Sequence, residues 1–237
     1  MIDIIPAIMA DSYDDLELKA GRVRAHVPLV QLDIMDGVFV RSKSWPYTTG
    51  GIKKDEHFLA LTEQDEGMPY WDELDYEIDL MISEPEKRID DWLPLGASRL
   101  IFHIESIKDH TAFWTHAIFP PGAREIGGQK VIEIGLAINP DTPLEAIMPY
   151  IESVDFVQCM GIAKIGYQGE PFDERVLERI NKLRVTYPNL PISVDGGVSL
   201  ETAADLKAAG ANRLVSGSAI FKSTDVKHVI QDLQSAA

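Results

Sequence analysis

Short, almost wholly apolar runs recur along the chain and alternate with segments of helical periodicity. The runs are rich in Ile, Val and Leu and lack a polar face, which is typical of strands buried on both sides in a parallel sheet. The eight runs are Ile4–Met9, Leu29–Met35, Tyr76–Ile82, Arg99–Glu105, Ile132–Ile138, Asp155–Ala163, Pro191–Asp195 and Arg213–Ile220. This pattern predicts a parallel sheet of eight strands.

Between the runs, apolar residues at spacings of three and four predict helices. These segments are Asp14–Ala25, Glu84–Trp92, Pro143–Ile151, Asp173–Tyr187 and Leu200–Ala209. Eight strands alternating with helices in 237 residues match the size of a (β/α)8 TIM barrel, an α/β fold. A doubly wound open sheet is the structural alternative, but no G-x-G-x-x-G follows the first run. No segment has the composition of a linker, so we expect a single domain over residues 1–237.

Residues 38–75 depart from this alternation. They hold the aromatic groups Trp45-Pro46-Tyr47 and Tyr70-Trp71 together with Gly50-Gly51. The segment is predicted to be an extended loop after the second strand. Barrel loops of this length usually serve as functional lids or as interfaces.

The charge balance narrows the classes of partner. Lys and Arg number 22 and Asp and Glu 38, which gives a net charge of −16. Without a basic run, a chain this acidic is expected to repel nucleic acid and anionic membranes. There is no signal-peptide pattern and no apolar run of about 18 residues, and the single cysteine, Cys159, fits a reducing compartment. We therefore expect a cytoplasmic protein with no membrane partner.

Three aspartates, Asp33, Asp79 and Asp195, interrupt apolar runs on different predicted strands. A carboxylate in such a place costs several kcal/mol unless it is paired, protonated or bound to metal. Local pairing explains one such residue. Three at the strand ends of one barrel favour a functional site, because that is where barrel active sites lie and where perturbed carboxylates cluster.

Glycine-rich turns follow the last two predicted strands. Gly196-Gly197 follows the seventh strand and Gly217-Ser218 the eighth. Each pair alone also fits a tight turn, but together they occupy the positions where barrels bind phosphate through backbone N–H groups. The sequence therefore predicts an anionic small-molecule ligand, which local dipoles attract despite the net charge.

These segments resemble the ribulose-phosphate 3-epimerase family, whose members are barrels of the ribulose-phosphate binding type. The resemblance lies in IIPAIMADSYDDL, QLDIMDGVFV, DLMISEPEKRIDDW, FHIE, GLAINPDTPLEAIMPYIESVDFVQCM, ISVDGGVSLETAADLKAAGA and RLVSGSAIF. It implies an isomerase that inverts C3 of a pentulose 5-phosphate through an enediolate, with Asp33 and Asp195 as the two acid/base carboxylates. It also implies a sugar-phosphate substrate and a homo-oligomer.

The resemblance adds further site residues. It implies a methionine lid of Met35, Met81 and Met160 over the carboxylates. The loop after the sixth strand, which in the family reads close to SVNPGFGGQ, here reads GIAKIGYQGEP. Gly166 and Gly169 keep part of its phosphate-binding character. His103, in the FHIE segment, is interpreted as a core histidine.

The metal site differs most from the family pattern. The resemblance implies a divalent metal bound by two histidines and the two aspartates, but Gln31 and Asp79 occupy the histidine positions. The set Gln31, Asp33, Asp79 and Asp195 offers only oxygen, which favours Mg²⁺ or Mn²⁺ over Zn²⁺. The alternative is that no metal binds and that a nearby cation such as Lys164 replaces it.

Two other functions stay open at this point. Lys164 at the end of the sixth strand is placed for a Schiff base, as in an aldolase-like paralogue acting on another sugar phosphate. The loss of both histidines is also consistent with a catalytically inactive binding protein. The retained pair Asp33 and Asp195 argues against inactivity, because an inactive barrel gains stability by replacing buried carboxylates.

Overall fold

The computed structural model describes residues 2–114, 125–126, 129–130 and 132–237, and a closed barrel of eight parallel strands forms its centre. The strands are β1 (Asp3–Ile8), β2 (Leu29–Met35), β3 (Asp75–Met81), β4 (Arg99–His103), β5 (Glu133–Ile138), β6 (Phe156–Met160), β7 (Ile192–Asp195) and β8 (Arg213–Ser216). Each strand pairs with the next, and β8 closes onto β1. The predicted barrel is confirmed, and all eight predicted strands are present. The single-domain expectation stays a prediction.

Alternation along each strand divides its side chains between two environments. In β2, Leu32 belongs to the outer core between the barrel and its helices, whereas Asp33 contacts the opposite wall of the barrel interior. The parallel register pairs Asp33 with Asp79 and Met35 with Met81. Inward-facing residues of neighbouring strands therefore form rows across the barrel, and the rows set the layers of the site.

The helices cover the outside of the barrel. They are α1 (Tyr13–Val23), α2 (Glu56–Glu63), α3 (His110–Ala112), α4 (Arg175–Thr186), α5 (Ala203–Ala209), α6 (Ser218–Phe221) and α7 (Val226–Ala236). α7 is absent from the predicted helices, although its buried Val226, Ile230 and Leu233 recur at helical spacing. Glu125–Ile126 and Gln129–Lys130 form a short antiparallel pair outside the barrel. Among the described helices, none is long and apolar enough to cross a membrane.

Two of the predicted helices, Glu84–Trp92 and Pro143–Ile151, are not α-helices in the structure. Short 3-10 turns replace them: Pro85–Lys87, Ile89–Asp91 and Leu93–Leu95 in the first case, Leu144–Ala146 and Met148–Ser153 in the second. Pro149 lies inside the second predicted helix and lacks the backbone N–H that an α-helix interior requires, whereas Pro94 follows the first and prevents it from continuing. The apolar spacing is correct, but the backbone cannot continue as an α-helix.

Residues 38–75 contain more regular structure than the sequence indicated. α2 lies within them and was not predicted. Trp45 is fully buried and its ring packs against Tyr13 and Phe58, so this aromatic residue belongs to the core. Trp71 is 71% exposed. The unusual aromatic content of the segment therefore reflects mainly how α2 attaches to the barrel.

The N-terminal end of the barrel interior holds a group of paired charges, which we call the basal cluster. It consists of Glu77, Arg99, Glu133 and Arg213. Arg99 contacts Glu77 at 3.0 Å and Glu133 at 2.8 Å, and Arg213 lies 3.6 Å from Glu133. Burial raises the pKa of Glu77 to about 6, and the Arg99 charge opposes that rise. Two acidic and two basic groups therefore balance at this end.

Candidate active site

A cavity of about 280 Å³ opens at the C-terminal ends of the strands. Both predicted acid/base residues, Asp33 and Asp195, line it. All six predicted phosphate-binding residues also line it: Gly166, Gly169, Gly196, Gly197, Gly217 and Ser218. The structure therefore brings the two predicted subsites together in one space.

Three aspartates lie together at the floor of this cavity and form what we call the carboxylate cluster. Asp33, Asp79 and Asp195 each offer an oxygen, and the three oxygens lie within 4.8 Å of one another. Asp33 and Asp79 are adjacent because the β2–β3 register pairs them, and Asp195 ends β7 on the far side of the barrel. Asp79 is fully buried and Asp33 is only 6% exposed.

Gln31 connects two members of the cluster. Its side-chain Nε2 donates to Asp33 Oδ1 at 2.8 Å and to Asp195 Oδ2 at 2.9 Å. Its Oε1 is buried without a hydrogen-bond partner among the described residues. A buried amide oxygen without a partner is costly, so this atom is available to a ligand.

The third member, Asp79, is held by two other side chains. His103 Nε2 lies 3.2 Å from Asp79 Oδ1, and Gln158 Nε2 donates to Asp79 Oδ2 at 3.3 Å. His103 was interpreted as a core residue and Gln158 was not singled out. The signal for Gln158 was present, since it is polar and lies two positions before inward-facing Met160 in an otherwise apolar strand.

Burial and crowding of like charges dominate the electrostatics. Burial raises the pKa of Asp33 well above its ordinary value, and the charges of Asp195 and Asp79 raise it further. Burial and Asp79 also raise the pKa of Asp195 to about 7, which hydrogen bonding from Gln31 opposes. Burial has the largest single effect on the pKa of His103 and lowers it, but the charge and hydrogen bonding of Asp79, together with the charges of Glu105 and Asp195, outweigh it and the net shift is upward. Both aspartates therefore keep their protons to higher pH than ordinary aspartates do.

Two of the three methionines of the predicted lid line the cavity. Met81 and Met160 line the cavity and are each 3% exposed. Met35 lies in the same apolar group as Met81, together with Phe39 and Val40 from the loop after β2. These thioether side chains keep water away from the carboxylates, which is the environment that raises carboxyl pKa values.

The opposite end of the cavity is built from backbone. A Cβ at Gly217 would lie 2.6 Å from Gln168 Nε2 and 3.2 Å from the carbonyl oxygen of Ala7, so a side chain there would displace the Gln168 amide. Thr202 fixes the neighbouring loop by donating from Oγ1 to the carbonyl oxygen of Gly197 at 2.8 Å. Gln168 lines the cavity and was not predicted as a site residue. This end offers polar backbone groups at close approach, as an anion-binding loop requires.

Lys164 does not occupy the position that the sequence suggested. It is exposed, and its ammonium lies 4.1 Å from the ring centroid of Tyr167, away from the carboxylate cluster. A Schiff-base lysine needs burial or a cationic neighbour to depress its pKa, and this side chain is in solvent. The cationic side chain that the structure places against the carboxylates is His103.

The donor set fits a hard divalent cation. The carboxylate cluster supplies three oxygens, and a half-turn of the Gln31 amide would add its unpartnered Oε1 as a fourth. Ca²⁺, Mg²⁺ and Mn²⁺ prefer such oxygen ligands, whereas Zn²⁺ sites are usually built on nitrogen and sulfur. The residues present therefore suit an oxygen-preferring metal.

A closed barrel with buried carboxylates under glycine-rich loops defines an enzyme of the (β/α)8 class. Residues 3–221 match the family model described as the ribulose-phosphate 3 epimerase family, and the chain belongs to that family. Membership indicates a carbohydrate epimerase.

Individual relatives extend over nearly the whole chain. The chain is similar to ribulose-phosphate 3-epimerase of Schizosaccharomyces pombe, with 31% identity over 98% of this chain and 92% of the relative. It is also similar to ribulose-phosphate 3-epimerase of Bacillus subtilis, with 28% identity over 100% of both. Among solved structures, 3-hexulose-6-phosphate synthase superimposes with a TM-score of 0.65, 19% identity and 99% coverage of both chains, which shows the shared fold.

Proposed function

We propose that this protein epimerises ribulose 5-phosphate at C3 by proton transfer between Asp33 and Asp195. One observation carries the proposal: the carboxylates of buried Asp33 and half-buried Asp195, joined through the amide of Gln31, line the same cavity as the glycine-rich loops. The names of the relatives support this substrate. Retention of buried carboxylates argues against an inactive barrel, since apolar replacements would stabilise it.

The reaction needs one carboxylate ionised and the other protonated. The ionised group removes the proton from C3, the electrons of that C–H bond form the C2–C3 double bond, and negative charge passes to the C2 oxygen. The protonated group then delivers its proton to the opposite face of C3 as the C2 carbonyl re-forms. Each group leaves the cycle in the state in which its partner began, and the reverse reaction exchanges their roles.

The electrostatics of the carboxylate cluster support this division. Repulsion among close buried carboxylates disfavours ionisation of all of them, so one retains a proton near neutral pH. Hydrogen bonds from Gln31 favour the ionised form of whichever group accepts them. Gln31 therefore orients both groups toward the same space between the two walls of the barrel.

We also propose that Mg²⁺ or Mn²⁺ binds here through Asp33, Asp79 and Asp195. The carbonyl of Gln31 adds a fourth oxygen only when its amide turns over, and the cation then takes the place of the two hydrogen bonds from Gln31 to the aspartates. When bound, the cation supplies positive charge against the oxygens of the enediolate. The surrounding Met81 and Met160 exclude water, which strengthens every charge interaction in the site. These residues act on the reacting carbon and its oxygens, and the cation acts as a fixed charge.

The other half of the proposal concerns the 5-phosphate. The glycine-rich loops after β6, β7 and β8 hold it through backbone N–H groups, which gives affinity without a basic side chain. This arrangement suits a chain whose net charge is −16. We place the activity in the cytoplasm and in a homo-oligomer on the strength of the family resemblance.

The direct test is hydrogen exchange at C3. Ribulose 5-phosphate is incubated with the protein in D₂O, with Mg²⁺, with Mn²⁺ and with EDTA, and deuterium at C3 is followed by NMR. Loss of a general acid or base lowers rates by about 10²–10⁴-fold, so Asp33→Asn and Asp195→Asn should each lose exchange to that extent. The matched control is Asp72→Asn, an exposed aspartate outside the cavity, which should exchange like the wild type.

Two results would contradict the proposal. Exchange that survives both Asp33→Asn and Asp195→Asn would move the chemistry to other groups. No exchange by the folded wild type under any cation would exclude ribulose 5-phosphate as the substrate and leave the fold and family unchanged.

A further inference from the structure

Asp79 is supported differently from the other two members of the carboxylate cluster. Asp33 and Asp195 contact the bridging Gln31, whereas both oxygens of Asp79 face separate side chains, His103 and Gln158. We propose that His103 and Gln158 form the outer sphere of a divalent-cation site and hold Asp79 in position as a ligand. The inference rests on the proposed function in so far as that function assigns a cation to the cluster.

The strand register explains how both side chains reach Asp79. His103 on β4 pairs with Ala137 on β5, and Ala137 pairs with Gln158 on β6. The three residues therefore form one row across the barrel wall. Ala137 is fully buried and packs in one apolar cluster with Ile101 and Phe156, and its small side chain separates the two longer polar ones in the row. Both can extend toward Asp79 on β3.

The contacts leave Asp79 able to bind a cation. A carboxylate oxygen carries two lone pairs, so each can accept one contact from the protein and still face a metal. Asp79 Oδ1 has ion-pair proximity to His103 but no well-directed hydrogen bond among the described residues, and Oδ2 accepts from Gln158. Gln158 holds one oxygen by a hydrogen bond and the His103 ring lies beside the other, so the two side chains limit rotation of the carboxylate away from Asp33.

Full burial makes this support specific. Asp79, His103 and Gln158 each have 0% exposure, so water cannot replace a missing donor without a rearrangement of the wall. Loss of an outer-sphere partner typically weakens metal binding by about 10–100-fold. The imidazole can donate from Nε2 in its neutral or its protonated form, so the role does not depend on its charge.

The test measures Mn²⁺ affinity on the full chain without substrate, by electron paramagnetic resonance. His103→Leu should weaken Mn²⁺ binding by about 10–100-fold, and His103→Gln should recover most of it, since its Nε2 can donate in the same direction. Gln158→Met should weaken binding independently. The matched control is Phe102→Leu, which removes a buried ring from the same strand on its outer side, against Phe113. It should bind Mn²⁺ like the wild type.

The outcomes separate this inference from the proposed function. Unchanged Mn²⁺ affinity in both His103→Leu and Gln158→Met would overturn it and leave the cation site intact. Nitrogen hyperfine coupling to bound Mn²⁺ that disappears in His103→Leu would overturn it too, because His103 would then be a direct ligand. Wild type that exchanges C3 hydrogen but binds no Mn²⁺ would overturn the inference and leave proton transfer standing. If His103→Leu does not fold, the Mn²⁺ affinities of Gln158→Met and His103→Gln provide the test instead.

Discussion

The two ends of the barrel interior use buried charge in opposite ways. β3 supplies Glu77 to the basal cluster and, two residues later, Asp79 to the carboxylate cluster. Burial raises the pKa of Glu77 to about 6 and that of Asp195 to about 7, but guanidinium groups limit the first rise and neighbouring carboxylates add to the second. Burial alone therefore does not distinguish a structural carboxylate from a reactive one. The charge of the neighbouring side chains does distinguish the two.

This contrast suggests that the charges at the N-terminal end stabilise the barrel, whereas those at the C-terminal end bind a ligand. The basal charges are matched in number and directly paired, so removing one partner leaves another buried and unpaired. The carboxylate cluster holds three acids beside one imidazole, so its excess negative charge is available to a cation and a proton. Substitutions in the basal cluster should therefore lower stability, whereas substitutions in the carboxylate cluster should lower metal binding and C3 exchange.

The largest expected effect on stability lies at the basal end. Arg99→Met leaves Glu77 and Glu133 without their closest cation and should lower the free energy of unfolding by about 3–5 kcal/mol, the usual cost of a broken buried pair. Urea unfolding of this variant and of exposed Arg41→Met provides the comparison. A variant as stable as the wild type that loses C3 exchange would show that the basal cluster serves the chemistry.

A smaller effect should appear with pH. The folded pKa of Asp195 is about 7 and its ordinary value is 3.8, so the unfolded chain loses this proton first as pH rises. The free energy of unfolding of the cation-free protein should therefore fall between about pH 4 and pH 7, by about 3 kcal/mol for this group.

Urea unfolding in EDTA across that range checks the sign. Asp195→Asn should reduce the fall in the free energy of unfolding with pH. Mn²⁺ binds only the folded cluster, so adding Mn²⁺ should also oppose that fall. An equally steep fall in Asp195→Asn would assign the pH dependence to other groups. Glu77→Gln should change the pH dependence of the free energy of unfolding over a narrower pH range, because the pKa of Glu77 departs less from its ordinary 4.5.

The smallest expected change concerns the choice of metal. Gln31→His with Asp79→His replaces two oxygen donors by imidazoles and should raise the affinity for Zn²⁺ relative to Mn²⁺ by about tenfold or more. Competition binding of the two metals measures the ratio. Gln231→His on the exposed face of α7 is the control. A ratio that does not move would mean that geometry, and not donor chemistry, sets the preference.

Much of this layout could be predicted from the sequence, because alternation along a strand is a local property. Asp33 interrupts an apolar run, and that alone marks it as an inward carboxylate. The glycines at 196, 197 and 217 mark tight turns at the strand ends. Once the barrel closes, all such positions converge on one cavity.

The partners of Asp79 could not be predicted in the same way. The register aligns His103 with Gln158 through Ala137 but pairs Asp79 with Ile101, so the contacts to Asp79 depend on how the side chains reach across the closed barrel. Lys164 is a further case, since its place at a strand end leaves open whether its side chain enters the site or lies in solvent over Tyr167, as it does here. The turns at Pro85–Lys87 and Met148–Ser153 likewise depend on prolines that apolar spacing does not register.

Gly161, directly after β6, couples two loops of the binding end. The family loop, which reads close to SVNPGFGGQ, begins there with serine, but here a Cβ would lie 2.2 Å from the carbonyl oxygen of Gly196. That oxygen belongs to the backbone, so no side-chain rotation can relieve the contact. A serine at this position would therefore force the loops after β6 and β7 apart, and neither loop can change its path here without the other.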